Sequence, residues 1–349
     1  MILDFPRAFS ADESERRVPD ANAARTLLAR EHADALAAVL QPWRQRASAT
    51  AAGDALFARI DDAVHLAYAR LAIRHGHLGG DLHAYHNERH ILDICGDRLQ
   101  RVAAAAAARE LALRDIGVLL LFGAGHDLRQ REASLAFAGV GANERASLEE
   151  TQRILDICGF SRDTDADLHI AVELTIAGST FDARPPAGGY RYNAAELVQS
   201  GGALAATLDR LLDEQRPGWR AESHVVHALK LASIAADLDT ANVAEPFAAF
   251  AASAENLCRE REMLSGRSLD AGESALPVLR FLTDGQDRFF FELHRFQSQI
   301  GRTAFEPGKQ ANADMLKALT VGLRARIALR GPPANGNDVI AVYREVLRG

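Results

Sequence analysis

The run Tyr85-His86-Asn87-Glu88-Arg89-His90-Ile91-Leu92-Asp93 sets two imidazoles four positions apart, with a carboxylate one turn beyond the second. On a helix, positions at that spacing stack on one face. Ile91, Ile94, Cys95, Leu99 and Val102 carry that side on as an apolar stripe, so both rings are expected to point inward. Imidazoles turned into a core beside an acid suit metal binding or proton transfer. Taken alone, the pair fits a satisfied core histidine more often than a ligand.

Two further stretches change that balance. Gly123-Ala124-Gly125-His126-Asp127 follows the apolar run Val118 to Phe122, and a long ring and a short carboxylate on adjacent residues can converge on one point. The bland reading is a histidine and a capping aspartate at a helix junction. In Ala235-Ala236-Asp237-Leu238-Asp239-Thr240, an acid ends another apolar helix. Asp237 and Asp239 lie about 200° apart around a helix axis, so only one can face a given centre. Asp237 is the choice here because it follows Ile234 by three, and Asp239 is left to cap or turn the chain. His90, His126, Asp127 and Asp237 then form a set of two histidines and two aspartates.

The order Tyr-His-Asn-x-x-His-x-x-Asp, His-Asp, Ala-Asp-Leu resembles the HD superfamily of metal-dependent phosphohydrolases. Within it, the likeness is nearest to the catalytic domain of class I cyclic nucleotide phosphodiesterases, over about Gly80 to Phe305. The resemblance implies that His86 is the general acid and that His90, His126, Asp127 and Asp237 hold metal. It also implies that Glu149 is an outer-shell acid holding metal-bound water. Gln286-Asp287-Arg288-Phe289 is similar to the pair that clamps a purine in those enzymes, and Tyr85 joins Gln286 and Phe289 as a substrate-binding candidate. A plain reading of that segment is a mid-helix glutamine among core phenylalanines. One departure stands out: Gln130 occupies the place where many members have a further histidine, which bears on whether a second metal binds. The family threonine corresponds to Thr175 or Thr180.

The elements that must position these groups read as all-α, a multi-helix bundle. Alanine is abundant, aromatic residues make up 6% of the 349, and nearly every periodic segment has helical spacing. The expected organisation is an N-terminal helical extension over 1–79, a catalytic core over 80–310 and C-terminal helices over 311–349. Asp20 or Asn22 is expected to cap a helix reaching Leu40, which Pro42 would end, and a second helix to run from about Ala52 to His75. These helices suit a packing layer, a homodimer contact or a cover over the site. Further helices are expected at 145–158, 165–177, 221–238, 247–263 and 275–299, with a Pro- and Gly-rich loop over 181–193. The hexapeptide Ile-Leu-Asp-Ile-Cys-Gly occurs at 91–96 and 154–159 in unlike surroundings and is not a repeat.

A net charge of −7 and a pI near 6.0 argue against a nucleic-acid backbone as partner. Cys95, Cys158 and Cys258 lack metal-type spacing and read as buried thiols of a reducing compartment. With no apolar run of spanning length or signal-peptide core, a cytoplasmic protein without membrane contact is expected. The expected cofactor is one or two divalent ions, Zn, Mg or Mn, and the expected partner a small nucleotide-like phosphoester. Two other readings are a di-iron oxygenase of the same fold, for which His169 and His227 would be the additional ligands, and a regulatory module that binds without turnover.

Overall fold

The computed structural model describes residues 2–3, 9–31, 35–106, 111–132, 139–182 and 202–349, and these form an all-α bundle. Among the described residues the strands are two-residue segments, Phe181–Asp182 paired with Gly202–Ala203. The loop expected over 181–193 lies almost wholly outside the described residues. No described helix is long and apolar enough to cross a membrane.

The chain forms two compact units. The first comprises Met1–Phe181, Ala203–Asp239 and Phe296–Ala304; the second comprises Asp182–Gly202, Thr240–Arg295 and Phe305–Gly349. This division does not follow the expected seams at 79 and 310. The helices before residue 80 belong with the motif helices because they share a core: Leu40, Trp43, Phe57, Ile60 and Val64 are all buried.

In the first unit, helix Ala51–Arg74 starts where the Thr50 hydroxyl accepts from the Gly53 amide at 3.0 Å. It packs against helix Leu113–Gly125, which from Ile116 onward is apolar on every side and buried on every side. Helices Ala142–Ile157, Ala166–Ser179 and Ser223–Asp239 complete the layer, the last lying along Ala166–Ser179. Near the N-terminus, Asp20 caps a helix as expected, but that helix is Ala21–Arg30, and Leu40 belongs to a separate helix, Ala35–Ala47. Pro42, in contrast, sits inside helix Ala35–Ala47 and does not end it. A proline there removes one backbone bond, and its neighbour Trp43 is buried with Nε1 donating to the Cys95 carbonyl at 3.2 Å, an anchor that a local propensity rule does not see.

The second unit packs helices Phe247–Leu264, Ala275–Arg280 and Gly336–Arg348 with the later part of helix Gln299–Arg330. Its core holds Cys258, Val278, Leu282, Leu323, Val339 and Tyr343. The continuous helix expected over 275–299 is broken. After Arg280 come two wide turns, Phe281–Gly285 and Arg288–Leu293, and then extended chain at His294.

Candidate metal centre

His90 is placed by the short helix Glu88–Asp93, which Asn87 opens by accepting from the Arg89 amide at 2.9 Å. His86 therefore precedes the helix, and the expectation that both rings share one helical face is corrected. The rings still meet, with centroids 6.0 Å apart, and Tyr85 packs on both at 4.9 and 4.8 Å. Beyond Asp93 the backbone widens into a turn over Ile94–Arg98, where Gly96 leaves helical geometry, before helix Leu99–Ala105 resumes. Ile94, Cys95, Leu99 and Val102 are buried as the stripe implied.

His126 and Asp127 ride on the C-terminal end of helix Leu113–Gly125. Two glycines set how closely that end approaches its neighbours. A Cβ on Gly123 would lie 2.8 Å from Cys95 Sγ and Ile94 Cγ2, and one on Gly125 would lie 2.5 Å from Thr151 Oγ1. Only a residue without a side chain lets the helix press onto the turn that follows His90.

The fourth group is Asp239, not Asp237. Asp239 is the last residue of helix Ser223–Asp239, and the buried Arg98 fixes that end by donating Nη1 to the carbonyls of Leu238 and Asp239 at 3.1 and 2.9 Å. Asp237 instead accepts from the amides of Gln297 and Ser298 at 2.5 and 2.8 Å and from the Ser298 hydroxyl at 2.6 Å. It thereby braces the start of helix Gln299–Arg330, and burial pushes its carboxyl up to about 6.

His90 Nε2 lies 3.6 Å from Asp127 Oδ2 and 3.2 Å from Asp239 Oδ1, and His126 Nε2 lies 3.0 and 3.4 Å from the same two oxygens. Neighbouring ligand atoms around a zinc ion with bonds near 2.0–2.1 Å are separated by about 3.3 Å in a tetrahedron. Both imidazoles are buried, while the side chains of Asp127 and Asp239 keep 12% and 21% of their exposure and His86 keeps 26%. The carboxylates and His86 thus form a rim over a floor of two rings.

His126 Nδ1 faces the Phe122 carbonyl at 3.2 Å, and a carbonyl only accepts, so Nδ1 carries the hydrogen. In the neutral ring, Nε2 then presents a lone pair to two carboxylate oxygens. Both His126 Nε2 and Asp127 Oδ2 are buried without a hydrogen-bond partner. A buried group in that condition calls for a proton or a cation. Burial alone would push His126 down, yet Asp127 and Asp239 raise it well above its ordinary value. Burial lowers His90, and the imidazoles hold Asp127 and Asp239 below the usual carboxylate range against the opposing pull of burial.

Asp127 has a further brace. Its Oδ1 accepts from Gln130 Nε2 at 2.6 Å, and Gln130 Oε1 accepts from Asn143 Nδ2 at 3.2 Å. Gln130, in the place where a histidine was considered, orients the carboxylate. Glu149 does not face the cluster: it accepts from the Phe9 amide at 2.9 Å and pairs with Arg145 at 2.7 Å. Glu144 is the acid close by. Burial raises its carboxyl, and the charges of Asp127 and Asp239 add to the effect. Nothing in the periodicity distinguishes it from Glu149.

The remaining candidates sit elsewhere. His169 uses Nδ1 on Gln152 Oε1 at 2.6 Å and Nε2 on the Phe160 carbonyl at 3.2 Å, and His227 faces Asp115 at 2.7 Å. The di-iron reading therefore loses its two additional ligands. Thr175 donates to the Val172 carbonyl, and Thr180 accepts from the Gly141 amide. Gln286 and Phe289 belong to the second unit, Gln286 buried and Phe289 half-buried with its ring 5.5 Å from His294.

Compared with protein-family models, curated proteins and solved structures, the chain gives no match. The geometry of the cluster therefore carries the argument. The ligand atoms of His90, His126, Asp127 and Asp239 all lie within 4.8 Å of one another, and the four residues could hold a metal ion.

Proposed function

We propose that the protein is a metal-dependent phosphohydrolase or phosphodiesterase acting on a nucleotide-like phosphoester. The observation that most supports this reading is His126 Nε2 set 3.0 Å from Asp127 Oδ2 and 3.4 Å from Asp239 Oδ1, with His126 Nε2 and Asp127 Oδ2 buried and without a hydrogen-bond partner. His90, His126, Asp127 and Asp239 would hold the ion. A divalent ion there supplies Lewis acidity toward a phosphoryl oxygen and makes hydroxide available near neutral pH.

The protein's own groups divide the remaining work. His86 stands at the rim with Nε2 3.9 Å from Asp127 Oδ2, exposed enough to meet a ligand and close enough to an acid to be held in orientation. It holds the proton that a departing alkoxide needs. Glu144 takes the part first given to Glu149, a carboxyl that orders water beside the cluster. Gln130 and Asn143 keep Asp127 aimed.

The test is metal content on purified protein, followed by a panel of cyclic and linear nucleotides assayed with the metal found. Divalent-metal-dependent release of phosphate or opening of a cyclic phosphate is expected, with complete loss in folded His126→Ala. Undiminished turnover in that variant would remove the proposal. Ligand-induced thermal stabilisation without product would replace it with a binding module.

A further inference from the structure

Four of the histidines fall within His75 to His86, and only His86 belongs to the cluster described above. His75 closes helix Ala51–Arg74, its amide bonded to the Leu71 carbonyl at 2.8 Å. The chain then loops out through Asp81 and returns so that the His83 amide donates to the His75 carbonyl at 2.9 Å. That return brings the two rings to a centroid distance of 4.0 Å. Asp81 Oδ2 lies 3.2 Å from His75 Nδ1 and 3.4 Å from His83 Nε2. These spacings match the edge of about 3.3 Å expected between ligands of a tetrahedral zinc ion. Both imidazoles are buried, and His75 Nδ1 has no hydrogen-bond partner although it is aimed at the carboxylate.

We propose that His75, Asp81 and His83 form a second cation site, separate from the first, which takes zinc and pins the loop leading to His86. The ligand atoms lie within 4.8 Å of one another, and Asp81, with 38% of its side chain exposed, gives the ion its way in and leaves a position for water. Two imidazoles and one carboxylate are a zinc-type donor set. Arg131 pairs with both oxygens of Asp81 at 2.5 Å and is itself 45% exposed. With the ion in place Arg131 keeps Oδ1 as the outer partner, as ligating carboxylates usually have one. The site's role is structural. It joins the end of one helix to the residues just before His86, a closure already outlined by the His83 amide donating to the His75 carbonyl and Asn87 Nδ2 donating to the His83 carbonyl.

The probe is Co²⁺, read by its visible d–d bands and by equilibrium stoichiometry, with Zn²⁺ as the displacing ion. In the full chain carrying His90→Ala and His126→Ala, one Co²⁺ per chain is expected to remain and to be displaced by Zn²⁺; adding His83→Gln removes it. His83→Gln alone, checked for native circular dichroism, is expected to bind one Zn²⁺ fewer than the unaltered protein. An unchanged stoichiometry in folded His83→Gln overturns the proposal whatever happens at His90 and His126. Loss of an ion in folded His126→Ala tests only the first site, so failures of the two readings are told apart.

Discussion

Two groups of buried acids in the first unit have similar residues and opposite electrostatics. Asp12, Glu15 and Glu150 are close enough together to resemble a metal site, but each has guanidinium partners. Arg74 binds Asp12 through two nitrogens at 2.8 and 2.9 Å and Glu150 at 2.9 Å, Arg153 grips Glu15 at 2.8 and 2.6 Å, and Arg70 lies 3.4 and 3.5 Å from Glu15 and Glu150. Against burial, Arg74 holds the Asp12 carboxyl down to about 2. Around Asp127 and Asp239 no arginine or lysine pairs with either carboxylate among the described residues, and the titratable groups facing them are imidazoles. Two like charges about 4 Å apart repel by about 4 kcal/mol at an effective dielectric of 20. The charges of the first group are matched by guanidinium groups, and those of the second face imidazoles.

That contrast can be broken experimentally, and the largest effect is expected in the brace. Glu150→Ala takes a fully buried carboxylate from beside Arg70 and Arg74 and should lower unfolding free energy by about 3 kcal/mol in denaturant titration, with metal stoichiometry unchanged. Asp239→Asn should do the reverse. Structural zinc binding of about 10–16 kcal/mol spread over four ligands gives each about 3 kcal/mol, roughly two decades of affinity by competition with a chelator. Metal-free stability in that variant should move by less than about 1 kcal/mol, and Asp237→Ala should leave the affinity where it was.

Smaller changes come from the surroundings of the ligands. Gln130→Ala frees Asp127 to rotate and should weaken metal binding about 10–100-fold, measured by the same competition. The pH dependence has a definite sign. His126 is raised in the metal-free protein by Asp127 and Asp239, so the stability it contributes is complete below the unfolded value of about 6.5. It is lost as pH rises through the folded value. A metal must displace that proton, so affinity should climb by about tenfold per pH unit until His126 is deprotonated. A flat profile across neutral pH would show that no proton is displaced and that His126 is not a ligand.

The chain's local pattern revealed much of this and missed it where distant partners decide. Helices Ala51–Arg74 and Ala142–Ile157 and the buried run before His126 follow from periodicity and end signals, and so does the pairing of His90 with His126 and Asp127. The choice of Asp237 failed because helical phase was used at a helix end. Ser223–Asp239 stops at Asp239, and the amides that capture Asp237 come from Gln297 and Ser298, sixty positions away. Glu149 was likewise claimed by the Phe9 amide, across a separation that carries no local signal. Pro42 reads as a stop because propensity is local, whereas Trp43 is held by a carbonyl 52 residues further on.

Gly123 acts as a shim of zero thickness between two rods. A single methyl group there would meet Ile94 and Cys95 at 2.8 Å and prise the helix outward, carrying the ring of His126 away from that of His90. The spacing of the two imidazoles is thereby governed from a position that lies outside the cluster.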